Sequence, residues 1–249
     1  MASTGGGSTP QALFNLPRLL ALGRAASDAL FVGAFGAIGW PWLLKSLGDG
    51  GAEARAALLE RTGLPDDALP EQLGSWRADA GLLLLIAEHI LDRRPLSVVE
   101  FGGGTTTLVA AHCLARNGDG GLVTSIDNHP DFAGSTRDML AAQGLEADVR
   151  AVPLDTPPQG WPGLWYDHGP LPDRIDMLIV DGPPWVIHPF VRGAAASVFD
   201  RIPSGGTVML DDAARPGERL VARRWKREWP EFDWDYVPGA AGTLVGVRR

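Results

Sequence analysis

The stretch SVVEFGGGTTT, residues 97–107, decides the fold, and the rest of the chain is arranged around it. Its first five residues predict a short buried strand, its three glycines a turn, and Thr105–Ala115 a helix. Glycine accepts a positive φ and lets a ligand approach the backbone closely. The free N–H groups at the start of the helix favour an anionic group. Glu100, beside the turn, argues against phosphate and favours a ligand with a cationic group, so an amino-acid-bearing nucleoside fits better than a dinucleotide.

Composition and charge set the outer limits of function. The chain has 249 residues, of which 45% are hydrophobic, so it can form one domain with an N-terminal extension. Its formal net charge of −8 makes nucleic acid an unsuitable partner, because phosphate binding needs a basic surface. Cys113 is the single cysteine, which excludes an intrachain disulfide and suits a reducing compartment. We expect a cytoplasmic protein.

The N-terminal part of the chain predicts disorder over residues 1–10 and a helical extension over residues 11–74. The uncharged run that ends before Lys45 is rich in glycine, is interrupted by Pro41 and is shorter than a membrane-spanning helix requires. Two alternatives remain open. The helices pack on the domain or on a partner subunit in a homo-oligomer, or residues 29–47 contact a membrane surface, in which case the protein is membrane-associated.

After residue 75 the chain alternates strands and helices. The expected strands after the first are Leu122–Ile126, Asp148–Val152, Ile175–Val180, Thr207–Leu210, Phe232–Val237 and Thr243–Val247, and the expected helices are one capped by Ser75 that ends near Leu91, then Thr105–Arg116, Phe132–Gln143, Pro189–Arg201 and Gly217–Trp229. Such alternation requires a mostly parallel sheet with helices on both faces. The fold class is therefore α/β: a Rossmann-like, doubly wound, seven-stranded sheet with a C-terminal antiparallel hairpin and an N-terminal helical extension.

Acidic residues follow or end the predicted strands, and this pattern carries the functional argument. They are Glu100, Asp127, Asp155, Asp181, Asp211 and Asp212. Ligands of an open parallel sheet bind beyond the carboxyl ends of its strands, so we expect these carboxylates at one edge. Asp127 lies 23 residues after Gly104, the distance expected for a carboxylate that binds ribose hydroxyls. Each carboxylate alone is better explained as a helix cap or a solvated loop residue, and it is their repetition at successive strand ends that favours a site.

Four stretches together resemble the class I S-adenosylmethionine-dependent methyltransferases. They are EFGGGTTT at 100–107, SID at 125–127, LIVDGPP at 178–184 and GGTVMLDD at 205–212, and the resemblance spans a domain of about residues 75–249. The closing hairpin is typical of that fold. The resemblance implies S-adenosylmethionine as cofactor, bound by Glu100, Phe101, Gly102, Gly103, Gly104, Thr105, Thr106, Thr107, Asp127, Asn128 and Asp155. By this likeness the glycine turn faces the methionine, Asp127 the ribose and Asp155 the adenine.

Within that superfamily, Asp181 with Asp211 and Asp212 resembles the metal site of catechol-type and macrolide-sugar O-methyltransferases. Three carboxylates offer the hard oxygen ligands that suit Mg²⁺. The ion would lower the pKa of an acceptor hydroxyl and orient its oxygen toward the methyl group. The alternative is that Asp211 or Asp212 only caps the helix that follows.

The general base of the catechol-type enzymes is a lysine just after the fourth-strand aspartate, and here Pro183, Pro184 and Trp185 occupy that space. His188 is the nearest titratable substitute, so it joins Asp181 as a catalytic candidate. A solvent-facing residue at a helix start explains His188 equally well. Aromatic residues of the loop Thr156–Pro172 suit an acceptor pocket.

The leading hypothesis is therefore an S-adenosylmethionine-dependent enzyme that methylates a hydroxyl of a small molecule or saccharide with the assistance of Mg²⁺. A nicotinamide-dependent oxidoreductase is the second enzyme hypothesis. Glu100 and the terminal hairpin disfavour it. A non-catalytic binding or scaffold protein on the same fold is the third alternative.

Overall fold

The strand Ser97–Phe101, called β1, is an interior strand of a seven-stranded sheet in the computed structural model, which describes residues 11–158 and 160–249 and side chains from residue 22 onward. The other strands are β2 (Leu122–Asp127), β3 (Asp148–Ala151), β4 (Leu154–Asp155), β5 (Trp165–Tyr166), β6 (Met177–Val180), β7 (Thr207–Leu210), β8 (Phe232–Val237) and β9 (Thr243–Arg248). The sheet order is β3-β2-β1-β6-β7-β9-β8. The first five of these strands run parallel, and β9 pairs antiparallel with both β7 and β8. The expected fold class is confirmed.

Helices cover both faces of the sheet. They are α1 (Gln11–Lys45), α2 (Ala52–Thr62), α3 (Ala80–Arg93), α4 (Thr105–Asn117), α5 (Pro130–Ala142) and α6 (Pro216–Glu228), with 3₁₀ helices at Asp66–Ala68 and Val191–Arg201. Successive strand residues point to opposite faces, so Val98 packs with α3 and α4 while Val99 packs with the longer 3₁₀ helix and α6. Two apolar cores therefore hold the sheet between them.

Three local expectations differ from the structure. Asp79, not Ser75, caps α3, and its Oδ1 accepts the Leu82 N–H at 2.8 Å. Ser75 has a φ of +64°, which belongs to a turn. The expected loop Thr156–Pro172 contains β5, which pairs antiparallel with β4. The expected α-helix at Pro189–Arg201 is a 3₁₀ helix that begins at Val191.

The N-terminal extension is dominated by one long helix. Pro41 does not interrupt α1, although proline removes one backbone hydrogen bond from a helix. Among the described residues, one stretch, Leu22–Lys45, has the length and apolar composition to cross a membrane. Residues 1–10, for which the sequence predicts disorder, lie outside the described residues. The domain boundary at residues 74 and 75 stays a prediction.

The requirement for glycine in the turn after β1 can be tested by substitution. Gly102 has a φ of +90°, and a Cβ there would lie 2.5 Å from the Gly182 amide nitrogen. We expect Gly102→Ala to lower the free energy of unfolding by about 3 kcal/mol, since it adds backbone strain and a clash between two strand ends.

Gly134→Ala is the matched control, because Gly134 lies within α5 and a Cβ there would meet nothing within 4 Å. It should raise stability by about 0.5–1 kcal/mol. Urea denaturation of both variants gives the comparison. Similar effects in the two variants would show that the turn does not need its glycine.

Candidate active site

A cavity of about 380 Å³ lies beyond the carboxyl ends of β1, β2, β6 and β7. Its lining includes the glycine turn, the start of the β2–α5 connection, the acids after β6 and β7, and the end of α1. The residues that line it are Leu43, Ser46, Leu47, Ser75, Trp76, Arg77, Asp79, Gly102, Gly103, Asp127, Asn128, His129, Phe132, Tyr166, Asp181, Gly182, Pro184, Trp185, Arg192, Asp211, Asp212, Arg215 and Ala241. The parallel topology thus brings distant segments of the chain to one edge.

The glycine turn rests on a buried polar network beneath the cavity. Glu100 is fully buried in β1, and its Oε2 accepts hydrogen bonds from the hydroxyls of Thr107 and Ser125. The Thr107 hydroxyl oxygen also accepts the Gly104 N–H at 3.1 Å. This network ties β1, β2 and the start of α4 together and fixes the path of the turn.

The residues expected to bind a cofactor at this turn divide into two groups. Gly102 and Gly103 line the cavity, and Gly104 follows them as the residue that precedes α4. Phe101 and Thr105–Thr107 are buried and do not line it. Burial raises the pKa of Glu100 to about 7, although its hydroxyl partners favour the charged form. The glycine backbone is therefore the part of the motif that faces the cavity.

Asp127 ends β2 at the cavity wall. Its Oδ1 accepts the His129 N–H at 2.6 Å, and its carboxylate also accepts the Gly103 N–H. Burial raises the pKa of Asp127, and these N–H groups oppose the shift because they stabilise the carboxylate. Asn128 lines the cavity beside it. The hydrogen bond to Gly103 links the end of β2 to the glycine turn.

Asp155 is not brought to the cavity. Its side chain is exposed at the end of β4, where Oδ1 accepts the Thr156 N–H at 2.6 Å. The short pairing of β4 with β5 separates this residue from the end of β3, which the sequence pattern did not anticipate. The geometry therefore gives no support to Asp155 as an adenine-binding residue.

The acids after β6 and β7 form one cluster. Asp181, Asp211 and Asp212 each offer an oxygen, and these three oxygens lie within 4.8 Å of one another. Asp212 has a φ of +58°, a conformation that aspartate adopts more readily than most residues, and it turns the chain after β7. Burial raises the pKa values of Asp181 and Asp211, and the neighbouring carboxylates raise them further. Such a cluster attracts cations.

Arg192 supplies one cation, and the sequence reasoning missed it. Its Nη1 donates to Asp212 Oδ2 at 2.9 Å and to the Asp211 carbonyl at 3.3 Å. Its Nη2 donates to the Asp181 carbonyl and to Asp181 Oδ1, and Nε donates to the Pro183 carbonyl at 3.4 Å. The guanidinium therefore joins the ends of β6 and β7. Nothing in the local pattern of a short helical segment marks this arginine as different from a surface residue.

Arg215 supplies a second cation to the same cluster. Its Nη1 lies 2.6 Å from Asp212 Oδ2, and its Nη2 donates to the Ser46 hydroxyl at 2.9 Å. Ser46 directly follows α1, so this arginine links the N-terminal extension to the acidic cluster. The contribution of residues 43–47 to the cavity is a further feature that the sequence did not reveal.

His188 lies away from the cavity, beneath α1. Its ring is buried, and its Nδ1 accepts the Phe190 N–H at 3.1 Å. Nε2 lies 3.9 Å from Asp28 Oδ1, and the ring contacts Phe31 and Phe190. Burial lowers the pKa of His188, which Asp28 offsets only in part. This packing role leaves no geometric support for His188 as the general base.

The aromatic residues that were expected to form an acceptor pocket do not all line the cavity. Tyr166 and Trp185 line the cavity, together with Trp76, which is 75% exposed. Trp165 is buried, and Trp161 packs beneath the Arg224 guanidinium at 3.9 Å. The cavity wall is therefore partly aromatic, with contributions from well-separated parts of the chain.

Comparisons with known proteins agree on one kind of domain. Residues 99–213 match a family described as "Methyltransferase domain". An O-methyltransferase from Bacillus cereus in complex with SAH is 12% identical, with a TM-score of 0.53 over 87% of this chain and 100% of that one. A SAH-bound methyltransferase from Podospora anserina is 14% identical, with a TM-score of 0.51 over 78% of this chain and 88% of that one. No curated protein matches the chain. At these identities the structural likeness establishes the fold.

The role of Arg192 in joining the ends of β6 and β7 can be tested by substitution. Arg192→Met should lower the free energy of unfolding by about 3–5 kcal/mol, because it leaves buried carboxylates without their counterion. Arg174→Met is the control, since the Arg174–Asp176 ion pair involves an arginine side chain that is 69% exposed. That control should cost less than about 1 kcal/mol. Chemical denaturation at neutral pH measures both, and a small equal loss would contradict the assigned role.

Proposed function

We propose that the chain is a class I S-adenosylmethionine-dependent methyltransferase that methylates a hydroxyl group of a small molecule or saccharide with the assistance of Mg²⁺, because residues 99–213 match a methyltransferase domain and the sheet has the expected topology. One observation carries the proposal: the glycine turn, Asp127 and the acidic cluster of Asp181, Asp211 and Asp212 line a single cavity. This arrangement supports the assignment of a nucleoside site and a cation site next to each other.

The donor half of the cavity is assigned to Gly102, Gly103 and Asp127. S-adenosylmethionine, when bound, supplies the methyl group as a sulfonium substituent. The Asp127 carboxylate accepts hydrogen bonds from the ribose hydroxyls, and the turn lets the methionine part approach the backbone. The Glu100 network below the turn keeps that backbone in place. Asn128 and His129 border the ribose and adenine side.

The acidic cluster fits a divalent cation by its donors and its charge. Asp181 and Asp211 offer carboxylate oxygens, while Asp212 Oδ2 is already held by Arg192 and Arg215. Glu218 is a fourth buried acid that interacts electrostatically with both arginines. When all four acids are ionised, they and the two guanidinium groups carry a formal charge of −2, which one divalent cation balances. Mg²⁺ binds through one or two carboxylates and keeps several waters.

The residues on the other side of the cavity, which we assign to the acceptor, then hold the acceptor in position for methyl transfer. Mg²⁺, when bound, acidifies the acceptor hydroxyl and orients its oxygen. Asp181 and Asp211 hold that ion, with Asp212 as the third acid. Arg192 keeps the strand ends at a fixed separation through its hydrogen bonds to both. Tyr166 and Trp185 offer aromatic surface to the acceptor, which holds its ring in place and excludes water.

Cofactor binding separates this proposal from the oxidoreductase alternative. Isothermal titration calorimetry should show binding of S-adenosylmethionine and none of NAD⁺. Asp127→Asn should weaken S-adenosylmethionine binding about tenfold to a hundredfold, since it removes a charged hydrogen-bond acceptor.

Asp155→Asn is the matched control and should leave the affinity unchanged, because Asp155 is exposed outside the cavity. Tighter binding of NAD⁺ than of S-adenosylmethionine would overturn the proposal. Cofactor binding without slow hydrolysis or transfer to any acceptor would favour the scaffold alternative.

Metal dependence is tested separately from cofactor binding. Asp181→Ala should abolish methyl transfer and weaken Mn²⁺ binding, followed by electron paramagnetic resonance, while S-adenosylmethionine affinity stays within about twofold. Asp200→Ala, an exposed aspartate on the longer 3₁₀ helix, is the control and should change neither. Full activity of the wild-type protein in EDTA, or of Asp181→Ala, would refute the role of the ion.

A further inference from the structure

One side of α1 is fixed to the domain. Phe35 packs edge-on against Phe190 with ring centroids 5.0 Å apart. A Cβ on Gly36 would lie 3.2 Å from the Trp185 ring, and one on Gly39 would lie 3.5 Å from Pro216. These contacts recur every three or four residues, so they define one inner face of the helix.

The other side of α1 is apolar and uncovered. Leu30 is 75% exposed, Ile38 62%, Trp40 59% and Leu44 56%. The sequence holds no charged residue from Ala29 to Leu44. Only 6% of the most apolar window of Leu22–Lys45 is buried, which distinguishes α1 from the core helix of a globular domain.

A cationic face of α6 adjoins this helix. Arg219, Arg223 and Lys226 are exposed along one side of α6, and among the described residues none of them lies within 4.0 Å of a carboxylate. The Arg219 guanidinium lies 5.3 Å from the Trp42 ring centroid on α1. These cations stand out in a chain whose net charge is −8.

We propose that the outer face of α1 and the cationic face of α6 dock together on an anionic lipid bilayer. The contact surface is formed by Leu30, Ile38, Trp40, Leu44, Arg219, Arg223 and Lys226. Apolar side chains enter the headgroup region, tryptophan suits that depth, and arginine and lysine attract anionic lipids.

The helix lies in the interface and does not cross the bilayer. Its inner face is packed against the domain, so lipid cannot surround it. The 24 residues of Leu22–Lys45 give a contact about 36 Å long when the helix lies flat. Leu43 and Leu47, near its end, line the cavity, so docking also brings the cavity close to the lipid surface.

A second copy of the chain is the less suitable occupant of this surface. A two-fold interface places the same surface patch of both copies in contact. It would therefore bring the unpaired cations of the two α6 helices close to each other, within a dimer of twice the net negative charge. An anionic bilayer instead meets those cations with opposite charge.

The test uses the full chain and lipid vesicles without cofactor or acceptor, so its outcome does not depend on methyl transfer. Flotation should show binding to phosphatidylcholine vesicles that contain about one third phosphatidylglycerol, and much weaker binding to phosphatidylcholine alone. High salt should reduce the binding, because it screens the attraction. Replacing Arg219, Arg223 and Lys226 together by alanine should weaken it about a hundredfold, at about fivefold for each cation.

Ile38→Glu should reduce binding at least tenfold, because it places a charge within the apolar face. Leu122→Glu is the matched control, since Leu122 is 48% exposed at the start of β2, and it should bind like the wild type. Circular dichroism checks that each variant is folded. Equal binding to neutral and anionic vesicles would overturn the proposal, as would no binding at all. A stable dimer that Ile38→Glu dissociates, without vesicle binding, would assign the surface to a second copy instead.

Discussion

The structure of the site depends on the contact between Arg192 and the carboxyl ends of β6 and β7. Parallel strands end at the same edge of the sheet, so Asp181, Asp211 and Asp212 are forced together. Buried carboxylates repel one another strongly, and Arg192 offsets that repulsion while its N–H groups bond to oxygens of both strand ends. The acidic cluster can therefore exist in the folded protein.

A second network supports the side of the cavity that the glycine turn forms, in a similar way. Glu100 joins Ser125 and Thr107, and Asp127 accepts the N–H of Gly103. The backbone of the glycine turn is thus tied to β1, β2 and α4 from below. Because both networks anchor backbone segments, they can present Gly102, Asp127 and Asp181 to one cavity in a fixed arrangement.

Much of the fold could be predicted because its signals are local. The buried strand Ser97–Phe101 and the hairpin of β8 and β9 have the predicted positions, since apolar runs and turn residues mark them directly. Asp127 and Asp181, which we expected at the carboxyl ends of parallel strands, likewise line the cavity. Arg192 and His188 could not be placed, because their partners lie in other segments and only the tertiary structure brings them together. Asp155 does not line the cavity, since it lies in the short pairing of β4 with β5 that follows β3.

We propose that a nucleoside site and a cation site share one cavity. The nucleoside site lies at the ends of β1 and β2, and the cation site lies at the ends of β6 and β7. Crystals grown with S-adenosylhomocysteine and soaked in Mn²⁺ test it most directly, since manganese scatters anomalously and takes the same oxygen ligands as Mg²⁺. We expect an anomalous peak between Asp181 and Asp211, with the ribose of the nucleoside against Asp127. A nucleoside bound elsewhere, or no peak at the acidic cluster, would contradict it.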